Sequence, residues 1–399
     1  MMEDKQAPAP TRHTHIRAAG IWIARSALLG VFLLSLFLTA LPIGRAMYRA
    51  ALLLPPLITA GATPGLLALT GEPVDYTQMT VPSRSGPVFL EVYTPAPPPP
   101  VPGARGGILI IPGVGDNSAN PQLVNLTQSL ARTGIVVMVM RTPTLIDYQL
   151  SPADSDAVIQ AFDRLAHWPG VGADRLGIVC FSAGGTLGSL AAADPRLRDR
   201  DTFLVLFGSY FNVTTLLRDV GRRAALMDGH IQPWHPQETS LRVLANTFAS
   251  TLPPPEGATL AKAFAPGGAP LTRTELAQLS PPAAAAYHLL AGDQPEQVEE
   301  NLAALSPSMR TLSRELSPST VVSQMHVPIY LLHDRNDAYI PFTQSRDFAA
   351  ALARLGHPFE LVEFSAFEHV EIRPGSLSSL LIDGAKLFGI LTRVLLVGS

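Results

Sequence analysis

The sequence predicts an α/β fold, a mostly parallel sheet flanked by helices, carrying an inserted helical cap and an N-terminal transmembrane helix. Three observations predict it. Short continuous apolar runs alternate with amphipathic helical patterns from about residue 106 onward, the interval 213–324 holds helical pieces without strand signals, and the N-terminus carries a long uncharged apolar run. The composition agrees, since 399 residues with 47% hydrophobic and 15% charged side chains make a folded chain rather than a disordered one. A mean hydropathy of +0.23 is consistent with membrane-resident sequence. The formal net charge of -3 lacks the basic footprint of a phosphate-tracking protein, so nucleic acid is not an expected partner. A single cysteine excludes an internal disulfide framework and a cysteine-rich zinc site, and leaves the redox compartment open.

Residues 1–75 read as a membrane-anchoring region. Its span is Ser26 to Gly44 (SALLGVFLLSLFLTALPIG), uncharged and about as long as a bilayer's hydrocarbon core requires. Lys5, Arg12, Arg17 and Arg25 precede it, against Arg45 and Arg49 just after, a bias that favours a cytoplasmic N-terminus. The alternative is a cleaved signal peptide, but the run exceeds a usual apolar core and no A-x-A site directly follows it. A possible second span, 50–71, is interrupted by Pro55, Pro56, Gly61, Pro64 and Gly65. If it crosses, the remaining chain returns to the cytoplasm; if it packs or lies at the interface, the chain stays outside.

Residues 76–212 and 325–399 read as the α/β core. YTQMTVPSRSGPVFLEVY, Tyr76 to Tyr93, is a β-hairpin around the turn-rich tetrad Ser83 to Gly86, followed by the stiff connector APPPPVPG at 96–103. The strand and helix rhythm then begins: GGILIIPG at 106–113, a helix placing Leu123, Leu126 and Leu130 on one face, IVVMVM at 135–140, and a helix from Asp154 to His167. It continues with RLGIVCF at 175–181, a small-residue helix from Ala183, and FLVLFG at 203–208. Continuous apolar strands of this kind are buried on both faces in a parallel sheet. Residues 213–324 read as the cap, Ala- and Leu-rich helical pieces broken by LPPPEG and APGGAP. The rhythm resumes with VPIYLLHD at 327–334, a helix near 343–355, FELVEF at 359–364 and a closing helix around 376–396.

The stretch RLGIVCFSAGGTLG, Arg175 to Gly188, stops a buried strand at Ser182 and starts a helix of small residues. Such a strand-to-helix corner exposes a nucleophile on a strained turn and needs small residues two before and two after it; Cys180 and Gly184 take those places. Cysteine departs from the usual G-x-S-x-G. A serine hydroxyl also needs a base, and the base needs an orienting partner. Asp337 lies in LLHDRNDAYIP just past one apolar strand, and His369 in FSAFEHVEI just past the next. All three candidates therefore follow the C-terminal ends of expected parallel strands, where an open α/β sheet gathers its ligands.

On these residues the chain from about 76 to 396 resembles the α/β-hydrolase superfamily, serine esterases and peptidases among them. The order Ser182, Asp337, His369 is that family's. The resemblance implies Ser182 as nucleophile, His369 as general base and then acid, and Asp337 as the carboxylate that orients His369. It further implies that the loop IPGVGDN at 111–117 supplies an oxyanion hole from the backbone N–H groups of Val114 and Ala183. Pro112 stands where many members carry histidine, a second departure. Asp334 shares the acid turn and competes with Asp337; the family spacing favours Asp337, leaving Asp334 as a turn residue. His333 is read as structural, Asp116 and Glu368 as solvated or turn carboxylates, and Cys180 as a packed thiol facing away from the site.

There is no H-E-x-x-H, His230 and His235 read as plain loop residues, and no glycine-rich phosphate loop follows a strand, so neither metal nor cofactor is expected. The expected activity is a membrane-associated carboxylic ester hydrolase working through an acyl-Ser182 intermediate. Ester as the bond is fold-level analogy. A small-molecule acyl substrate of hydrophobic character follows from the anchor and from the scarcity of charge in 241–292. The alternatives are an aminopeptidase-like hydrolase whose cap selects short peptides, and a catalytically silent hydrolase scaffold that binds a ligand through its cap.

Overall fold

The computed structural model describes residues 12–58, 65–99, 101–200, 202–372 and 377–396. Twelve strands run in chain order: β1 Val74–Ser83, β2 Gly86–Pro95, β3 Arg105–Ile111, β4 Val136–Arg141, β5 Val171–Phe181, β6 Leu204–Phe207, β7 Ala224–Met227, β8 His230–Pro233, β9 Ile329–Asp334, β10 Phe359–Phe364, β11 Phe367–Glu368 and β12 Glu371–Ile372. The α-helices are α1 Arg12–Ala40, α2 Pro42–Ile58, α3 Gly65–Thr70, α4 Pro121–Arg132, α5 Pro143–Ile146, α6 Asp154–Ala166, α7 Gly184–Ala193, α8 Val213–Arg222, α9 Glu238–Ala249, α10 Pro254–Ala263, α11 Arg273–Ala277, α12 Pro281–Ala291, α13 Val298–Ala304, α14 Pro307–Glu315, α15 Thr343–Arg354 and α16 Leu377–Leu395.

The main sheet has eight strands in the order β1-β2-β4-β3-β5-β6-β9-β10. From β4 to β10 every pairing is parallel, and the hairpin β1–β2 adds an antiparallel edge through β2 and β4. Strand alternation divides the core between the two faces. Leu109, Ile111, Met138, Met140, Leu204 and Leu206 point to one side. Ile108, Ile110, Val137, Val139, Val205 and Phe207 point to the other. A period of two with apolar residues in both phases demands a cover on each face. Helices α6, α7 and α15 with the 213–324 insertion supply the first, and α2, α4 and α16 the second. The chain passes from β3 to β4 on one side and back to β5 on the other, so the loops after β3 and β5 diverge and open a crevice at the strands' C-terminal ends.

The N-terminal segment differs from the straight span expected. Ser26 to Gly44 is not one straight helix: the chain bends by 95° between Arg25–Ala40 and Pro42–Leu57. Pro42 opens α2, where its missing N–H costs nothing but continuing α1 through it would, and Arg45 reaches back to cap the carbonyls of Thr39 and Ala40. No single described helix is long and apolar enough to cross a membrane, although the bent pair is so by length and composition. Within 50–71, too, no single described helix is long and apolar enough to cross. Ala50 and Leu53 of α2 and Leu67 of α3 are buried against the sheet's helical cover, and 59–64 lie outside the described residues.

The insertion between β6 and β9 is mostly helical, as its composition suggests, but it also holds the hairpin β7–β8. The turn is Asp228-Gly229, a strong short-range hairpin signal that the polar reading of the surrounding loop overlooked. At its root, the buried Gln344 of α15 accepts the N–H groups of Phe211 and Asn212, each at 3.0 Å, and Phe211 stacks on Phe348.

Candidate active site

Ser182 sits between β5 and α7 with φ of 53°, left-handed backbone that a non-glycine residue adopts only under constraint. Hydrogen bonds on both sides hold it there. Its N–H donates to the Phe207 carbonyl at 2.8 Å, and its own carbonyl accepts the Ser209 hydroxyl at 3.0 Å. The corner is close-packed. A Cβ on Gly184 would lie 2.4 Å from the Pro112 carbonyl oxygen, and one on Gly188 would lie 2.3 Å from the Cys180 Sγ. The cysteine is thus accommodated by a glycine one helical turn into α7, and its thiol faces that helix.

Asp337 and His369 meet directly: His369 Nδ1 lies 2.6 Å from Asp337 Oδ2, and both residues are buried. His369 occupies the two-residue turn of the β11–β12 hairpin with φ of 59°, and its ring stacks on Tyr339 at 4.6 Å. The other Asp337 oxygen accepts the N–H groups of Tyr339 at 2.7 Å and Ile340 at 3.0 Å. Burial would push this carboxyl up, but His369 and a further contact from His333 outweigh it and hold its pKa well below the usual carboxylate range. An ionised Asp337 fixes the Nδ1–H tautomer of His369, leaving Nε2 to accept a proton. His369 Nε2 is buried and has no hydrogen-bond partner among the described residues.

Asp334 does a different job. Its carboxylate accepts Asn336 N–H at 2.6 Å and, across the turn, Phe367 N–H at 2.8 Å, tying the acid turn to the strand that carries His369. Burial raises its pKa against those bonds. His333, fully buried, uses Nδ1 on the Ser345 hydroxyl and Nε2 on the Ile340 carbonyl. It braces the acid turn from beneath.

The serine and the histidine are linked through β6. Ser182 bonds the Phe207 carbonyl, and the next residue, Gly208, lies so close to the His369 ring that a Cβ there would come within 3.0 Å of it. The loop 111–117 approaches from the opposite side, where a Cβ on Gly113 would lie 3.1 Å from the Ser182 Cβ. Within this loop the Asn117 side chain gathers the carbonyls of Gly113, Val114 and Gly115 at 3.0, 3.3 and 3.1 Å. Ala183 is the residue preceding the first turn of α7, whose N-terminus favours negative charge. Asp116 is a surface partner of Arg141 at 2.5 Å.

No family model matches this sequence, and no curated protein sequence matches it. Solved structures do. The chain aligns with a puromycin-hydrolyzing peptidase of Mycobacterium tuberculosis at 15% identity and a TM-score of 0.49, over 81% of this chain and 39% of that one. An acylaminoacyl peptidase of Pyrococcus horikoshii aligns at 14% identity and 0.49, over 82% and 42%. A 2,6-dihydroxy-pseudo-oxynicotine hydrolase aligns at 16% and 0.46, over 80% and 68%. The chain therefore spans about two fifths of the length of the two peptidases.

Sequence reasoning did not single out Asn117, Tyr339 or Trp234. The indole N–H of the buried Trp234, just after β8, donates to the Asp337 carbonyl at 2.8 Å, and Gln237 N–H donates to Ala338. The insertion thus touches the acid turn itself. Among the described residues no group of three or more His, Cys, Asp or Glu side chains is placed to hold a metal ion.

Proposed function

We propose that this chain is a membrane-associated serine hydrolase with the α/β-hydrolase architecture, cleaving an ester or related acyl bond through a covalent acyl-Ser182. The observation that carries the reading is the buried pair of Asp337 and His369, whose Nε2 has no partner among the described residues and whose ring lies against Gly208, next to the residue that bonds the Ser182 N–H. Ser182 Oγ attacks the acyl carbon while its proton passes to His369 Nε2, and Asp337 stabilises the resulting imidazolium. Collapse of the tetrahedral intermediate breaks the bond to the leaving alcohol, which takes that proton; water then repeats the sequence and frees the acid and Ser182. The N–H groups of Val114 and Ala183 receive the oxyanion charge, with Asn117 keeping the neighbouring carbonyls turned aside.

Membrane association rests on α1, where Leu28, Phe32 and Leu36 are exposed. The test of the chemistry is labelling of the purified chain with a fluorophosphonate. Wild type labels and Ser182→Ala does not; folded wild type that stays unlabelled favours the silent scaffold. Turnover of p-nitrophenyl esters against amino-acid p-nitroanilides then separates ester from peptide hydrolysis.

A further inference from the structure

The residues that flank the candidate site on its far side line an apolar cavity of about 200 Å³. At one end lie Gly113, which touches Ser182, Phe181, which precedes it, and Val370, which follows His369. Its walls are Leu126 of α4, Leu391 of α16 and Leu57 of α2. It therefore sits between the sheet and the α2, α4 and α16 layer, and no residue of the 213–324 insertion lines it. An apolar cavity of about 150 Å³ already takes up benzene, so this one holds a hydrocarbon group of moderate size. Such a space is better filled than empty, because its lining lacks contact partners on one side.

We infer that this cavity seats the hydrocarbon part of the acyl group that Ser182 receives, so that a chain of medium length is selected by the α2, α4 and α16 layer and not by the inserted cap. The inference rests on the serine-hydrolase reading above and adds no covalent step to it: the acyl carbon bonded to Ser182 Oγ lies at the Gly113 end, and its chain runs between α4 and α16. Leu57 makes α2 part of the wall, and α2 is joined directly to the exposed apolar α1. The acyl seat and the candidate membrane contact are thus continuous along the chain.

The experiment measures kcat/KM of the full chain for acetyl, butanoyl and octanoyl p-nitrophenyl esters, in wild type, Leu126→Trp and Leu391→Phe, with fluorophosphonate labelling as the check that each variant is folded and active. Each buried methylene is worth roughly three- to fourfold. Wild type is expected to gain at least about tenfold from acetyl to octanoyl, and the octanoyl-to-acetyl ratio of the two filling variants to fall back towards one. A wild type without chain-length preference, or variants that keep the preference or lose acetyl and octanoyl turnover equally while still labelling, overturns the acyl seat. A wild type that neither labels nor hydrolyses any of the esters overturns the serine-hydrolase reading instead.

Discussion

Cys180 stands two residues before the candidate nucleophile, where a nucleophile elbow usually has glycine. Its cost was met inside the helix rather than at the corner: Gly188 removes the side chain that the thiol would otherwise strike, and a Cβ there would lie 2.3 Å from Sγ but 3.7 Å from the Cys180 Cβ. Gly188→Ala is therefore expected to lower stability by about 1–3 kcal/mol through overpacking. In a Cys180→Ala background most of that cost should vanish, giving a coupling of at least about 1 kcal/mol in a double-mutant cycle read by urea unfolding. An equal cost in both backgrounds would reject this account of the corner. Asp337 and Asp334 differ in geometry at the same scale. His369 meets Asp337, while Asp334 spends both oxygens on backbone N–H groups.

Helix α1 differs from every element packed on the sheet, because its apolar residues from Leu28 to Leu36 face outward. The following helix does the opposite, burying Ala46, Ala50 and Leu53 against the core while Arg45 caps α1. The bend at Pro42 converts one apolar run into an exposed rod and a docked helix. If α1 is the membrane contact, the wild-type chain co-floats with lipid vesicles and a Leu29→Glu, Phe32→Glu variant stays at the bottom of the gradient with its fluorophosphonate labelling intact. Flotation of both proteins, or of neither, removes α1 from that role. The β11–β12 hairpin makes a related point on a smaller scale. Two paired residues on each side suffice to place His369, because Asp334 holds Phe367 and Asp383 of α16 holds the N–H groups of Ser365 and Ala366.

Across the whole molecule the insertion is joined to the core at several places, among them the acid turn through Trp234, the 147–150 loop through Asn246 and Thr247 of α9, and the α8–α15 contact. Asp219 of α8 is half-buried there, and desolvation together with the Asp347 carboxylate of α15 pushes it up to about 7, against Arg218 and Arg222 of its own helix. A carboxyl raised on folding contributes stability below its ordinary pKa and loses it as the pH rises through about 7. Asp219→Asn is accordingly expected to stabilise the protein by an amount that grows between pH 5 and pH 7 and is level above, at most about 4 kcal/mol. Thermal unfolding of both proteins across that range checks it; a difference independent of pH would mean that Asp219 is not the titrating group.

The parallel sheet, its antiparallel hairpin edge and the three candidate site residues were legible in the sequence, because each depends on local information: a strand's continuous apolar run, a turn's residues, the position of a polar side chain just past a strand. The bend at Pro42 was present as a proline, but whether the helix beyond it crossed a membrane or docked depended on the partners α4 and α16, which lie far along the chain. The same holds for the surroundings of the site. Asn117 and Tyr339 look like ordinary loop residues until the loop and the ring they act on are in place. Sequence alone determined which candidate polar side chains stand at the ends of its strands; tertiary structure decided that His369 meets Asp337, that the insertion grips the acid turn, and that an apolar cavity lies behind the site. Local patterns encode how each segment buries its own surface, whereas contacts between distant segments depend on how all of those surfaces pack at once.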